Sequence, residues 1–367
     1  MLSRSKTHSL TWAKSAASGR FFGFVSMGCF MPVSNAEENR KDDDWLENRA
    51  WLRPPAHDTA KAMELWIGIT FASAFLQNLR STLQKHLKGM MGTTGATFVR
   101  FVFGMPFALA YLAFLHFGLG RPLPVPNMSF ALWATVGAMA QIAATFLLVH
   151  LFSFRNFAVG TAYSRTEPAQ AALFALIFIG ESVNGGTLAA IAISVAGVML
   201  ISVARTEVTP ASFLTSIFSR TAVIGLASGA FFGLSSVAYR SASLALAPSL
   251  PVPDAMMQAG FTLVVVIVMQ TVSMFLWIIW REREELRRIA KVWKPSLAVG
   301  FVGATASFGW FTAMTLQQAA VVKALAQVEM LFAFASTVLF FKEKINRLEL
   351  SGCLLIVVGV LSLLAFG

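Results

Sequence analysis

Charged side chains inside apolar stretches are the residues of this chain best suited to chemistry, because a charge is costly to hold away from water. Glu167 and Glu329 each lie about ten residues into an apolar run, which on a helix is roughly 15 Å from its start. A carboxyl group at that depth could bind a polar solute or a proton, since the loss of water favours its neutral form. Alternatively, each glutamate pairs with a buried arginine or lysine and fixes helix packing.

Polar neighbours accompany both glutamates and belong to the same predicted site: Tyr163 and Arg165 near Glu167, and Lys323 and Gln327 near Glu329. On a continuous helix, Tyr163 and Glu167 share one face, because residues four apart lie one above the other. Pro168 interrupts the helical hydrogen bonds and leaves a carbonyl free beside the site. We therefore expect these side chains to line one central site.

A polar stripe marks the first long apolar segment, with Thr70, Ser73, Gln77, Arg80 and Gln84 at steps of three or four residues. Such a stripe faces either a water-filled cavity or another helix, and the sequence leaves both open. A weaker stripe later in the chain comprises Ser228, Ser235, Tyr239 and Ser243, with Arg240 alongside. Gln77, Arg80 and Tyr239 are the cavity candidates from these two stripes.

Arginines and lysines outnumber glutamates inside the apolar segments. Arg100 either snorkels to the headgroups or faces the cavity beside Arg80. If several of the cations Arg80, Arg100, Arg165, Arg240 and Lys323 face the cavity, its field is positive. A solute with a carboxylate or phosphate is then favoured over a lipophilic cation.

The composition places most of the chain in lipid. The 367 residues are 56% hydrophobic and 13% charged, with mean hydropathy +0.66, whereas soluble domains carry about 25% charged residues. In such a chain, the net charge of +11 indicates basic loops at anionic headgroups rather than nucleic-acid binding. The two cysteines suggest neither a disulfide framework nor a metal site. We predict an all-α integral membrane protein without cofactors, apart from optional proton coupling.

Ten segments have the length of a membrane helix: 65–84, 95–117, 129–151, 157–179, 185–204, 221–244, 256–280, 296–314, 320–341 and 347–366. Residues 1–62 form an N-terminal extension of different composition. It reads as a disordered tail, as a signal peptide around residues 21–33, or as a segment upstream of the true start at Met63.

An internal repeat relates the two halves, residues 63–205 and 206–367. A shift of 162 positions aligns 146–204 with 308–366 at 13 identities in 59 positions, with both Glu167 and Glu181 falling on glutamates. Five spans per half is an odd number, so the halves enter the membrane in opposite senses as inverted repeats. That arrangement encloses a central cavity, which opens to either side when one half rocks on the other.

Each half resembles an EamA domain of the drug/metabolite transporter superfamily. In that pattern, a short Gly-Glu turn joins the fourth helix to a glycine-bearing fifth helix. Gly180-Glu181 with Gly197 fits it, whereas Lys342-Glu343 lacks the glycine and Gly359 fits. We interpret Glu181 and Glu343 as structural turn residues, suited to the positive end of the following helix.

The resemblance implies a ten-helix carrier of the bacterial inner membrane that exports a small metabolite. The alternatives are a flippase or carrier for a lipid- or nucleotide-linked compound, and a membrane scaffold or sensor. An enzyme is disfavoured, because the sequence has no zinc-protease motif, no nucleophile elbow and no phosphate loop. The expected partners are a small solute and membrane lipid, and the oligomeric state is left open.

The distribution of positive charge predicts the orientation. Loops after odd-numbered spans hold 14 lysines and arginines, whereas loops after even-numbered spans hold Arg121 alone. The positive-inside rule therefore places both termini outside, although members of the resembled family are usually drawn with both termini in the cytoplasm. A C-terminal alkaline phosphatase fusion should be active and a fluorescent protein fusion dark. The opposite pair of results would reverse the orientation.

Overall fold

Proline, glycine and charged residues divide the apolar sequence into helices. The computed structural model describes residues 56–154, 157–204, 219–332, 334 and 347–366, and every regular element within these ranges is helical. Residues 1–55 and the predicted turn residue Glu343 lie outside the described residues.

The first half begins with α1, Ala56–Lys88, which starts inside the segment 1–62 that the sequence assigned to the extension. Its further helices are α2 Thr93–Val102, α3 Met105–Ala113 with a wider turn at Phe114–Gly118, α4 Met128–Leu151, α5 Phe157–Ser164, α6 Glu167–Ile179 and α7 Gly185–Ala204.

The second half follows the same plan, with a surface helix added. It comprises α8 Arg220–Ala245, α9 Ala255–Arg281, the amphipathic α10 Arg283–Lys291, α11 Trp293–Leu316, α12 Ala319–Leu325 and α13 Arg347–Phe366. Short 3₁₀ turns occur at Ala247–Ser249 and Ala326–Val328.

Seven helical stretches of the described chain are long and apolar enough to cross a membrane: Thr93–Gly118, Met128–Leu151, Gly185–Ser202, Arg220–Ser249, Ala255–Arg281, Trp293–Leu316 and Arg347–Phe366. The other predicted spans differ for separate reasons. Segment 65–84 carries the polar stripe, 157–179 is divided between α5 and α6, and 320–341 runs past the described residues. Ten spans therefore remain a prediction.

The fourth and ninth predicted spans are interrupted at matching positions. α5 ends at Ser164 and α6 begins at Glu167, with Pro168 in its first turn. In the second half, the turn Ala326–Val328 ends α12 and leads directly to Glu329. These interruptions correspond under the 162-residue shift. Each glutamate therefore stands where a new helical segment starts, a position with unpaired backbone groups.

Glycines allow the corresponding helices α7 and α13 to approach closely. A Cβ atom added to Gly197 would lie 2.7 Å from the carbonyl oxygen of Gly352, and one added to Gly352 would lie 2.7 Å from the carbonyl oxygen of Gly197. The contact is reciprocal, as expected where two repeats meet face to face. Small residues at such crossings are typical of membrane helices, because close backbone approach supplies the packing energy.

Replacing Gly197 with alanine should destabilise the fold by about 1–3 kcal/mol, because the new methyl group would meet backbone atoms that cannot rotate away. The midpoint of thermal unfolding in detergent should fall. Gly185→Ala is the matched control in the same helix, since no atom lies within 4 Å of its added Cβ. Equal midpoints for the two variants would contradict the close contact.

Candidate functional site

Two ion pairs, buried or partly buried, join the halves at the interrupted helices. Lys323 Nζ lies 2.8 Å from Glu167 Oε1, and the guanidinium of Arg165 contacts the carboxylate of Glu329. In each pair, the cation and the glutamate come from opposite halves. The Glu329 side chain is 5% exposed, and both partners in the Lys323–Glu167 pair are under one-fifth exposed. Each carboxylate is thus neutralised across the interface, as pairing of buried charges requires.

The same residues line a cavity of about 20 Å³, together with Gln77, Pro168, Ala326 and Gln327. This volume suffices for about one water molecule. The interruption between α5 and α6 contributes directly, because Gln327 Nε2 donates a 3.0 Å hydrogen bond to the carbonyl oxygen of Arg165. An amide of one half therefore binds the backbone of the other, at the equivalent position in the repeat.

The Lys323–Glu167 pair has further contacts with neighbouring helices. Its Nζ lies 4.8 Å from the centroid of the Trp310 ring, a cation–π arrangement. Trp310 Nε1 in turn donates to Gln77 Oε1 at 3.0 Å, which ties the polar stripe of α1 to α11. Ser236 of α8 donates to Glu167 Oε1 at 3.3 Å. These contacts orient the lysine and its carboxylate by groups from three helices, α1, α8 and α11.

Three other predicted residues, Arg80, Arg100 and Tyr239, gather in a neighbouring polar cluster. Arg100 is 7% exposed and its Nη1 donates to Thr145 Oγ1 at 3.0 Å. The snorkelling alternative for Arg100 is therefore wrong in this structure. Tyr239 donates to the carbonyl oxygen of Gly137 at 2.9 Å and accepts from Gln270 Nε2 at 3.1 Å. Arg100, Gln141, Tyr239 and Gln270 line a second cavity, of about 10 Å³.

Tyr163 does not join the glutamate site. Because the chain turns at Arg165 and Thr166, Tyr163 and Glu167 belong to different helices and share no common face. Tyr163 is buried in a separate apolar cluster with Ala162 and Ala222. The predicted helical face was wrong because it assumed one continuous helix.

Glu181 lies in the turn between α6 and α7, but its carboxylate does not contact the start of α7. Its carboxylate accepts from Arg240 Nε at 3.0 Å and pairs with Nη2 of the same arginine at 3.0 Å. The start of α7 is capped instead by Asn184, whose Oδ1 accepts from the backbone N–H of Thr187 at 2.7 Å. Glu181 is thus an interhalf ion-pair residue, and the helix N-terminus uses an uncharged cap.

Sequence reasoning missed several polar groups that hold these clusters together: Gln141, Thr145, Ser236, Gln270 and Trp310. Gln141 and Thr145 lie four residues apart within the apolar α4, and Gln270 lies beside Thr271 within the apolar α9. Their amides and hydroxyls inside apolar spans were the sequence signal that could have identified them as site residues. The acceptor of the Trp310 N–H is 233 residues away, so no local pattern indicates that contact.

The sequence model of the EamA-like transporter family matches residues 64–203 and 219–365, which lie in the two halves. No curated protein matches this chain. Among solved structures, 28 chains match. One, described only as a crystal structure of a protein, is 17% identical at a TM-score of 0.57, and the match covers 82% of this chain and 95% of that one. At this identity the likeness shows a shared fold alone.

Lys323→Met should lower the stability of the purified protein by up to about 3 kcal/mol, because it leaves the Glu167 carboxylate without its cation. Adding Glu167→Gln should restore most of the loss. Thermal unfolding of both single variants and the double variant gives the coupling between them. Additive effects in this cycle would contradict the ion pair.

Proposed function

Because this chain belongs to the EamA-like transporter family, we propose that it is a secondary transporter of a small metabolite. It works as an exporter in a bacterial-type cytoplasmic membrane, by alternating access between two inverted five-span halves. Ion or solute gradients drive the movement, since the sequence contains no phosphate loop for ATP.

The observation that supports this proposal is that each ion pair of the site joins a residue of one half to a residue of the other. Arg165 and Glu167 of the first half pair with Glu329 and Lys323 of the second. All four of these residues lie within a few residues of a helix interruption. Interrupted helices with polar groups near the membrane centre are the usual construction of transporter binding sites.

A cavity of about 20 Å³ is too small for a metabolite, so the solute enters only when the halves move apart. Separation pulls each glutamate away from its cation and leaves both charges without a partner. In the low dielectric of the membrane this is costly. A polar solute, a water molecule or a proton that binds a charge left without its partner offsets this cost. Occupancy of the site is therefore coupled to the rocking of the halves.

Proton coupling gives this mechanism a direction. A proton on Glu167 neutralises its carboxylate and releases Lys323, so that the interhalf contact weakens without leaving a buried anion. A proton on Glu329 would release Arg165 in the same way. A pH gradient would then bias which side of the membrane the opened site faces.

Purified protein in liposomes should exchange a labelled solute from a panel of acidic, neutral and basic amino acids and nucleosides. An imposed pH gradient should accelerate net flux, and Glu167→Gln should reduce that acceleration at least about tenfold while sparing exchange at equal pH. Glu284→Gln is the matched control, because the Glu284 side chain is 84% exposed on α10.

Three results would revise the proposal. A protein that folds but exchanges no solute of the panel would favour the scaffold or sensor. Movement of labelled phospholipid instead of solute would favour the flippase. Full pH-driven acceleration in both Glu167→Gln and Glu329→Gln would remove these carboxylates from the coupling.

A further inference from the structure

The cations within the predicted spans fall into two groups. One group is neutralised by carboxylates: Arg165 by Glu329, Lys323 by Glu167 and Arg240 by Glu181. Arg80 and Arg100 form the other group, and no carboxylate of the described chain forms an ion pair with either of them. The sequence pattern did not separate these groups.

Both unpaired arginines are buried between helices. Arg80 is 4% exposed and Arg100 is 7% exposed. Neither guanidinium therefore reaches the headgroups, where a phosphate could neutralise it. Arg80 lies about 12 Å from the end of α1, and Arg100 lies about 10 Å from the start of α2, at 1.5 Å per residue. The two side chains thus stand at similar depth in the same part of the molecule.

Gly303 of α11 is where the two arginine side chains meet. A Cβ atom added to Gly303 would lie 3.2 Å from Cδ of Arg80 and 3.7 Å from Cγ of Arg100. Gly303 also lines the second cavity with Arg100, Gln141, Tyr239 and Ser307. The absent side chain at this position leaves room for the stems of both arginines, one from α1 and one from α2, beside the cavity that Arg100 lines.

The hydrogen-bond partners of the two arginines are neutral or missing. Arg100 Nη1 donates to Thr145, and Gln141 places its amide oxygen 2.7 Å from Arg100 Nη2 once the amide is oriented to satisfy its neighbours. Nε and Nη1 of Arg80 are buried and have no acceptor within the described residues. A buried donor without an acceptor is costly, and a charged one more so.

Two arginines whose stems meet at Gly303, one of them with buried donors that lack an acceptor, are complementary to an oxyanion. Arginine binds carboxylate and phosphate through parallel N–H···O bonds, and these bonds are strong where water is excluded. We propose that Arg80 and Arg100 form an anion-binding subsite of the transport pathway, which receives a carboxylate or phosphate group of the transported solute. This inference rests on the proposed transport function and specifies its solute class.

The subsite adjoins the ion-pair cavity along two helices. On α1, Arg80 follows Gln77 by one turn, and on α11, Gly303 precedes Trp310 by two turns. Gln77 and Trp310 are hydrogen-bonded to each other at the ion-pair cavity. A solute whose anionic group lies between the arginines would therefore direct its remaining groups toward Glu167 and Glu329.

Binding can be measured on the full purified chain without transport, by the thermal shift that sodium succinate or sodium phosphate produces over sodium chloride of equal ionic strength. We expect at least one of the two anions to stabilise the protein. Arg80→Met and Arg100→Met should each weaken its apparent affinity at least about tenfold. Arg287→Gln, on the exposed side of α10, should leave the affinity unchanged.

The unliganded variants provide a second measurement. Arg80→Met should raise the unfolding midpoint without anion, because it removes a buried charge that has no partner. Gly303→Ala keeps both charges but narrows the space beside the Arg80 stem, so it should weaken anion binding without raising the midpoint. It also tests the subsite if an arginine variant fails to fold.

The outcomes separate the two proposals. Stabilisation by succinate alone identifies a carboxylate subsite, and stabilisation by phosphate alone identifies a phosphate subsite. Stabilisation by both anions identifies a general oxyanion subsite. No stabilisation of the wild type, or equal stabilisation of the Arg80 and Arg100 variants, overturns the subsite. Arginine-dependent binding without flux of the same labelled anion in liposomes would overturn transport and keep the subsite. Flux of neutral or cationic solutes alone would keep transport and overturn the subsite.

Discussion

The need to neutralise charge inside the membrane governs how the two halves meet. Three buried or half-buried ion pairs, Lys323–Glu167, Arg165–Glu329 and Arg240–Glu181, each take one member from either half. Apolar side chains gain little by leaving lipid for another helix, so polar contacts and close backbone packing have a larger share in association. The ion pairs therefore specify which surfaces of the halves face each other.

Polar contacts also join the halves at the connections between helices. At one end, Arg121 Nη1 donates to both carboxylate oxygens of Asp254 at 2.8 Å. At the other, Glu285 of α10 accepts from the backbone N–H of Gly92 at 2.9 Å, at the start of α2. Under the proposed alternating access, opening at either end would require the contacts at that end to break.

Arginines inside this protein occur in two environments, one suited to joining the halves and one to the proposed anion binding. Arg165 and Arg240 have carboxylate partners and contribute to the assembly of the halves. Arg80 and Arg100 have none among the described residues, and their burial opposes stability. Proteins hold such unfavourable groups mainly where function uses them, because elsewhere a neutral side chain would be more stable.

The sequence alone determined the helical membrane class and the two-repeat organisation, because apolar length and a 162-residue period are local or periodic properties. Only the tertiary structure decided which cation each glutamate meets, that Tyr163 turns away from Glu167, and that Glu181 binds Arg240 instead of capping α7. Helical spacing assigns residues to a face of one continuous helix. It specifies neither where that helix breaks nor which of many apolar neighbours packs against the face, since those choices depend on contacts between residues far apart in the chain.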